Sequence, residues 1–182
     1  MTVPWSAIQD AISLFVQSTG VVDGDHVLWD REAAKLVLHE SSVELRISGE
    51  RAVGYDDVEE VESSPGVYSP RITGLREFTL SIQFRARTPV DAYAARNSLE
   101  TIRASFYHPA RRQVLTQAGV SFLETEMLET RDVSFGGRWE QIAVLDVRMA
   151  TLSALYEPSE QTTYVQAVSL SDHGAPPFLI PE

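Results

Sequence analysis

Between Arg71 and Pro109 the chain changes from a period of two to a period near 3.6, and this change constrains the fold more than any other feature. In the first half Phe78, Leu80, Ile82, Phe84 and Ala86 alternate with Glu77, Thr79, Ser81, Gln83, Arg85 and Arg87. Successive side chains of a strand point to opposite sides. Alternation this long therefore predicts a strand with one face on a core and the other toward water or a partner. Thr88, Pro89 and Asp91 then supply an N-cap, a first-turn proline and an early acid, which together predict a helix start. Ala92, Ala95, Leu99, Ile102 and Phe106 follow at helical spacing and form one apolar stripe. Pro109 ends that helix and pushes His108 out of helical geometry.

The flanking segments fit around this unit. Thr2 to Ser18 reads as a first helix, with Trp5, Ile8, Ile12 and Phe15 as its stripe and Gly20 just past its end. The stretch from Val21 to Arg31 is a glycine-containing loop carrying Asp23, Asp25, His26 and Asp30. Such oxygens suit a hard divalent cation, but the spacing and terminal glutamate of a calcium loop are missing, so a turn of solvated acids fits better. Leu36 to Leu38 and Val43 to Ser48 read as a hairpin, Val43, Leu45 and Ile47 pointing one way. An acidic run follows, Asp56, Asp57, Glu59, Glu60 and Glu62, which suits either a strand or a helical turn. It predicts a solvated face or loop rather than a catalytic pair.

After the central unit, Pro109 to Ala118 predicts a short helix with Arg111 and Arg112 in its first turns, and Val120 to Glu129 a strand. Gly136-Gly137 reads as a hairpin turn and Arg138 to Leu152 as a second long strand. Ile142 and Val144 fall on the face opposite Leu145 and Val147, which implies burial on both sides or a bulge. The predicted class is α+β, with helices packed on one face of a mostly antiparallel sheet. Residues 1–152 form a single domain, and residues 153–182 an extended C-terminal arm with a strand-like stretch at Tyr164 to Leu170. The arm ends in an apolar hook, Phe178, Leu179 and Ile180, that a free tail rarely carries. It predicts docking on its own domain or on a neighbour.

Function enters first by exclusion. The chain has 182 residues, enough for one self-sufficient core that buries roughly 70% of its unfolded surface. Cysteine is absent, which removes disulfides, thiolate metal sites and a cysteine nucleophile. Met1 to Pro4 lacks the basic start of a signal peptide, and no apolar run reaches the ~20 residues of a membrane span. These features predict a protein made and used without export or membrane contact. With 26 acids against 15 Lys plus Arg, the net charge is −11, the wrong sign for a protein that wraps nucleic acid. Walker, nucleophile-elbow and zinc-protease motifs are missing, and His26, His39, His108 and His173 are scattered. No cofactor is called for.

Two readings survive. The run Gly74-Leu75-Arg76-Glu77-Phe78-Thr79-Leu80-Ser81-Ile82-Gln83, the stripe Ala92, Ala95, Leu99 and Ile102, and the later Arg138 to Val147 resemble the neck or tail terminator proteins of tailed phages. The resemblance covers residues 5–152 loosely, with Gln141 standing where the family often has an arginine. It implies a small α+β structural protein of the virion, assembled in the host cytoplasm. It also implies a ring, usually hexameric, that ends the tail tube and meets the head-neck connector. Its partners would be further copies of itself, the tail tube protein, a neck or head-completion protein and, as a further candidate, the sheath. DNA would pass through the ring without specific binding. On this reading Arg85, Arg87, Arg111, Arg112 and the 178–180 hook meet neighbouring subunits, and the acidic run faces the channel. A head-closure or tail-completion protein is the nearest alternative. The second reading is a small enzyme or ligand-binding domain using Asp23, Asp25 and His26, or the acidic run. The long amphipathic strand, the hook and the missing catalytic motifs favour the first. Deleting residues 157–182 should reduce oligomer mass in light scattering while leaving the melting temperature nearly unchanged. Unchanged oligomer mass would refute the docking arm.

Overall fold

The alternating stretch becomes β3 (Val67–Ala86), the middle strand of a five-stranded sheet ordered β1-β2-β3-β5-β4. A computed structural model of the chain describes residues 3–30, 41–64, 67–87, 93–135 and 138–156. β2 (Ser41–Ser64) and β5 (Arg138–Tyr156) run antiparallel along the two edges of β3, and β4 (Val120–Phe135) runs antiparallel to β5. β1 (Val27–Trp29) adds a short parallel pairing to Val43, Glu44 and Leu45. The α+β expectation is met, with a sheet that is antiparallel apart from β1.

Register makes the core. Val43, Phe84 and Ala143 lie side by side, as do Leu45, Ile82, Leu145 and Leu128, then Ile47, Leu80 and Val147, then Phe78, Met149 and Phe122. All these side chains leave the sheet on one face. Three helices cover that face: α1 (Trp5–Ser18), α2 (Ala94–Phe106) and α3 (Pro109–Gln117). α1 buries Ile8, Ala11, Ile12, Phe15 and Val16, and α2 buries Ala95, Leu99, Ile102 and Phe106. Both stripes match the apolar spacing that predicted them. Phe106 is fully buried and links three elements, its ring 4.4 Å from Phe15 of α1 and 5.2 Å from Phe122 of β4. Trp29 Nε1 donates to Ser13 Oγ at 3.0 Å and so anchors the short β1 to α1.

Several details depart from the sequence reading. α1 begins at Trp5 with Pro4 as its cap residue, not at Thr2, which lies outside the described residues. Thr88, Pro89, Asp91 and Ala92 also lie outside them, and the described part of α2 starts at Ala94 after Tyr93. His108 is extended (φ −91°, ψ 112°) and Pro109 opens α3, as the proline rule requires. Leu36 to Leu38 are outside the described residues, while Val43 to Ser48 pair with β1 and β3.

The acidic run is strand throughout. β2 continues to Ser64 because β3 satisfies its backbone groups across a long hairpin, and that pairing overrides the weak strand propensity of Asp and Glu. β4 extends to Phe135, where it pairs with Arg138, and β5 reaches Tyr156 rather than ending at Leu152. The bulges lie in β4, between Phe122 and Glu124 and between Thr125 and Leu128. Ile142 and Val144 of the unbroken β5 are half-buried on the open face. Phe106→Ala should cost about 3–5 kcal/mol in urea unfolding, because a buried aromatic on three elements leaves a cavity that cannot collapse. Trp139→Ala, at a side chain 68% exposed, should stay within about 0.5 kcal/mol of the parent.

Candidate assembly surfaces

The face of the sheet opposite the helices is organised by charge. Odd-numbered residues of β3 point there, and Glu77 is its node. Glu77 Oε2 accepts from Arg51 of β2 at 2.6 Å and from Arg148 of β5 at 3.0 Å, and Arg148 reaches on to Glu124 of β4 at 2.5 Å. One chain of ion pairs thus crosses four strands. The two guanidinium donors, Arg51 first and then Arg148, hold the Glu77 carboxyl below the ordinary glutamate range. On the same face Arg85 lies 3.1 Å from Glu44 and Arg87 lies 3.4 Å from Glu140. The two strand arginines expected at a subunit interface therefore each have an acidic partner within the chain.

Farther along, β2 bulges between Ser48 and Arg51 and again between Val53 and Asp57, with Gly49 and Gly54 at φ of 65° and 75°. The second bulge aims Asp56 inward. Its carboxylate accepts from Arg76 NH1 at 2.8 Å and NH2 at 3.1 Å, a bidentate pair that lowers the Asp56 pKa. The pair lies over Gly74. A β carbon on Gly74 would overlap Asp56 Oδ1 and stand 2.6 Å from Arg76 NH1, so glycine serves here as space. On the neighbouring strand Ser153 Oγ donates to the Gly74 carbonyl at 3.1 Å.

Beyond this lock β2 and β3 form a ribbon. Asp57 faces Thr73 and Glu59 faces Arg71, which places both acids on the open side of the sheet. Val58 opposite Ile72, Glu60 opposite Pro70 and Glu62 opposite Tyr68 fall on the helix side. Asp57, Glu59, Glu60 and Glu62 are exposed, as are Val58 and Tyr68, and Tyr55 is fully so. The sequence reading found the acids together. The structure splits them into one locked residue, Asp56, and two outward pairs on opposite faces.

The helix layer supplies the opposite charge. Arg111 donates to Ser105 Oγ at 2.5 Å, and the Arg112 guanidinium sits 6.0 Å from the centre of the Phe122 ring. Arg112 Nε is buried with no hydrogen-bond partner. Beside them Tyr107 packs edge-on to Phe122 and shares a 3.2 Å hydrogen bond with Thr125. Phe178, Leu179 and Ile180 lie outside the described residues.

Among the described residues no cluster of three or more His, Asp or Glu side chains could hold a metal, and no helix is long and apolar enough to cross a membrane. A groove of about 660 Å³ lies beside Trp5, Trp29 and Leu45, and its charged residues, Asp30 and Arg46, face each other at 3.8 Å. His26 and His108 are separate, on the turn before β1 and between α2 and α3; His39 and His173 are outside the described residues. Sequence reasoning missed Glu77, Arg148 and Arg76, and grouped Asp56 with the channel acids, because their partners sit on other strands. The one available signal was Gly74, a glycine inside a strand, which marks close approach.

A family model described as phage neck terminator protein matches residues 6–173, reaching past the end of β5. None of the curated proteins matches the chain. Glu77→Gln should lower the melting temperature at pH 7. The Glu77 carboxyl titrates below its ordinary value of 4.5, so its contribution is present above that value and is lost as pH falls through the lowered one. The gap between parent and variant should therefore begin to narrow as pH falls below 4.5 in thermal melts. A gap unchanged down to pH 3 would show that the carboxylate charge is not what matters.

Proposed function

The chain belongs to the phage neck terminator family, and from that premise we propose that it closes into a ring, most simply a hexamer, that ends the tail tube and joins it to the head-neck connector. As a family member it is a structural component of the virion's tail or neck and works through contact with other tail and head proteins. The finer roles follow from its surfaces. The tail tube protein would lie on one side of the ring and a neck or head-completion protein on the other, with the sheath as a further contact. Assembly would take place in the host cytoplasm, before the virion is complete.

The family match over residues 6–173 carries this reading. The distribution of charge supports it. The apolar rows of the sheet's core face are committed to the helices, so the surfaces available for assembly are mainly charged, with exposed apolar side chains such as Val58, Met127 and Leu152 set among the charges. Asp57 and Glu59 on the open side of the ribbon would face the channel, where acids and a net charge of −11 let DNA pass without the counterion release that makes it stick. Arg85 and Arg87 would be shared between their internal partners and the neighbouring subunit, Arg111 and Arg112 would meet its acids, and the 178–180 hook would dock on it.

Light scattering across concentration and salt tests the ring. A species near six times 20.2 kDa, about 120 kDa, should grow with concentration, alone or in the presence of tail tube protein. A dimer as the largest species under both conditions would overturn the proposal.

A further inference from the structure

The ribbon and the α2–α3 corner carry complementary charged surfaces. Arg46, Arg51, Arg76, Arg85, Arg87, Arg103, Arg131 and Arg148 all face carboxylates within the chain. Arg96, Arg111 and Arg112 have no carboxylate partner among the described residues, and all three lie on α2 or α3. On the ribbon, Glu60 stands exposed on the helix side, flanked by Val58 at 63% exposure and Tyr68 at 48%. This side continues the core face of the sheet, yet the core includes no residue of β3 before Phe78.

The two surfaces cannot meet within one molecule. Arg112 lies over Phe122, whose row contains Phe78, whereas Glu60 pairs with Pro70. Eight residues of strand separate the rows, roughly 26 Å at about 3.3 Å per residue, before any lateral offset. Contact therefore needs a second copy, and a head-to-tail contact between these two different patches is the kind that closes into a ring.

We propose that the helix-side face of the ribbon of one subunit docks on the α2–α3 corner of the next, with Glu60 against Arg111 and Arg112. Val58 and Tyr68 cover the exposed Tyr107, Pro109 and Ala110 there. An exposed ion pair contributes little by itself, so the apolar contacts hold the two surfaces and the charges set their register and rate of encounter. Docking would also give the buried Arg112 Nε an acceptor, which it lacks among the described residues. The inference rests on the ring reading and specifies its contact.

The chain has no cysteine, so an engineered pair reports directly. Glu60→Cys with Arg111→Cys should give a reductant-sensitive ladder that runs beyond dimer and ends at the ring size. The control pair Glu60→Cys with Asp10→Cys should give none. A ring of normal mass without cross-links would overturn this contact and leave the ring intact. Cross-linking that stops at dimer would overturn the head-to-tail geometry. If neither the parent nor the variant forms a ring, alone or with tail tube protein, the ring reading fails together with this one. Charge reversal gives an independent check, since Glu60→Arg and Arg111→Glu should each weaken self-association by roughly tenfold. A 1:1 mixture should restore it, because the reversed ribbon of one variant then meets the reversed corner of the other, and intact ribbon meets intact corner at the next interface. Failure of the mixture to recover, with both variants folded by circular dichroism, would refute the proposal.

Discussion

Everything in this fold depends on β3 being hydrogen-bonded along both edges while keeping a strict two-residue alternation. From Arg71 to Ala86 it pairs with β5 without a break, and from Val67 to Ala86 it pairs with β2 across three irregularities. One face of that strand supplies Phe78, Leu80, Ile82, Phe84 and Ala86 to the core, so a slip of one residue would turn the whole set toward water. The other face cannot hold another helix layer because it carries Glu77, Arg85 and their partners. A sheet with one committed face and one charged face has its stability inside and its contacts outside. This division suits a structural part that must fold before it assembles.

Local period was legible in the sequence, and tertiary partnership was not. The buried residues of α1 and α2 match their predicted stripes because helical spacing depends only on nearby residues. Pro109 and His108 behaved as expected for the same reason. By contrast, Glu44 lies 41 residues from Arg85, and Asp56 lies 20 from Arg76, and no local pattern brings them together. The acidic run looked free to be loop or helix because its strand character comes from β3 across the hairpin. Those residues are grouped together in the sequence reading, but their division between two faces followed only from register. The arginines on β3 and on α3 also looked alike in sequence. In the fold Arg85 and Arg87 have carboxylates, while Arg111 and Arg112 have a hydroxyl and an aromatic ring.

Net charge alone would describe this protein as acidic and therefore soluble. Its distribution says more. Paired charges on the open face largely neutralise one another and add little long-range field. Glu60 on the ribbon and the arginines of the helix corner lie at separate places, farther apart than the Debye length of about 8 Å. Such segregation makes identical molecules repel when aligned like to like and attract when aligned head to tail. A ring built from a single chain needs this asymmetry, since a self-complementary patch would stop at a dimer.

The ribbon can serve as a lever only if it is stiff. A two-stranded hairpin alone is marginal in water, but here only the tip is two-stranded, because β5 follows β3 as far as Arg71. At its base the Asp56–Arg76 pair fills the space above Gly74, with the arginine side chain 11% exposed, and Ser153 fastens the Gly74 carbonyl from the third strand. A partly buried ion pair is a weak source of stability because desolvation offsets its attraction. Its bidentate geometry nevertheless tolerates few orientations, so it fixes the direction in which the ribbon leaves the sheet. β5 ends at Tyr156 opposite Arg71, at the same end of the sheet as the ribbon. A contact made by the ribbon on a neighbour would thus bring the end of β5 to that neighbour as well.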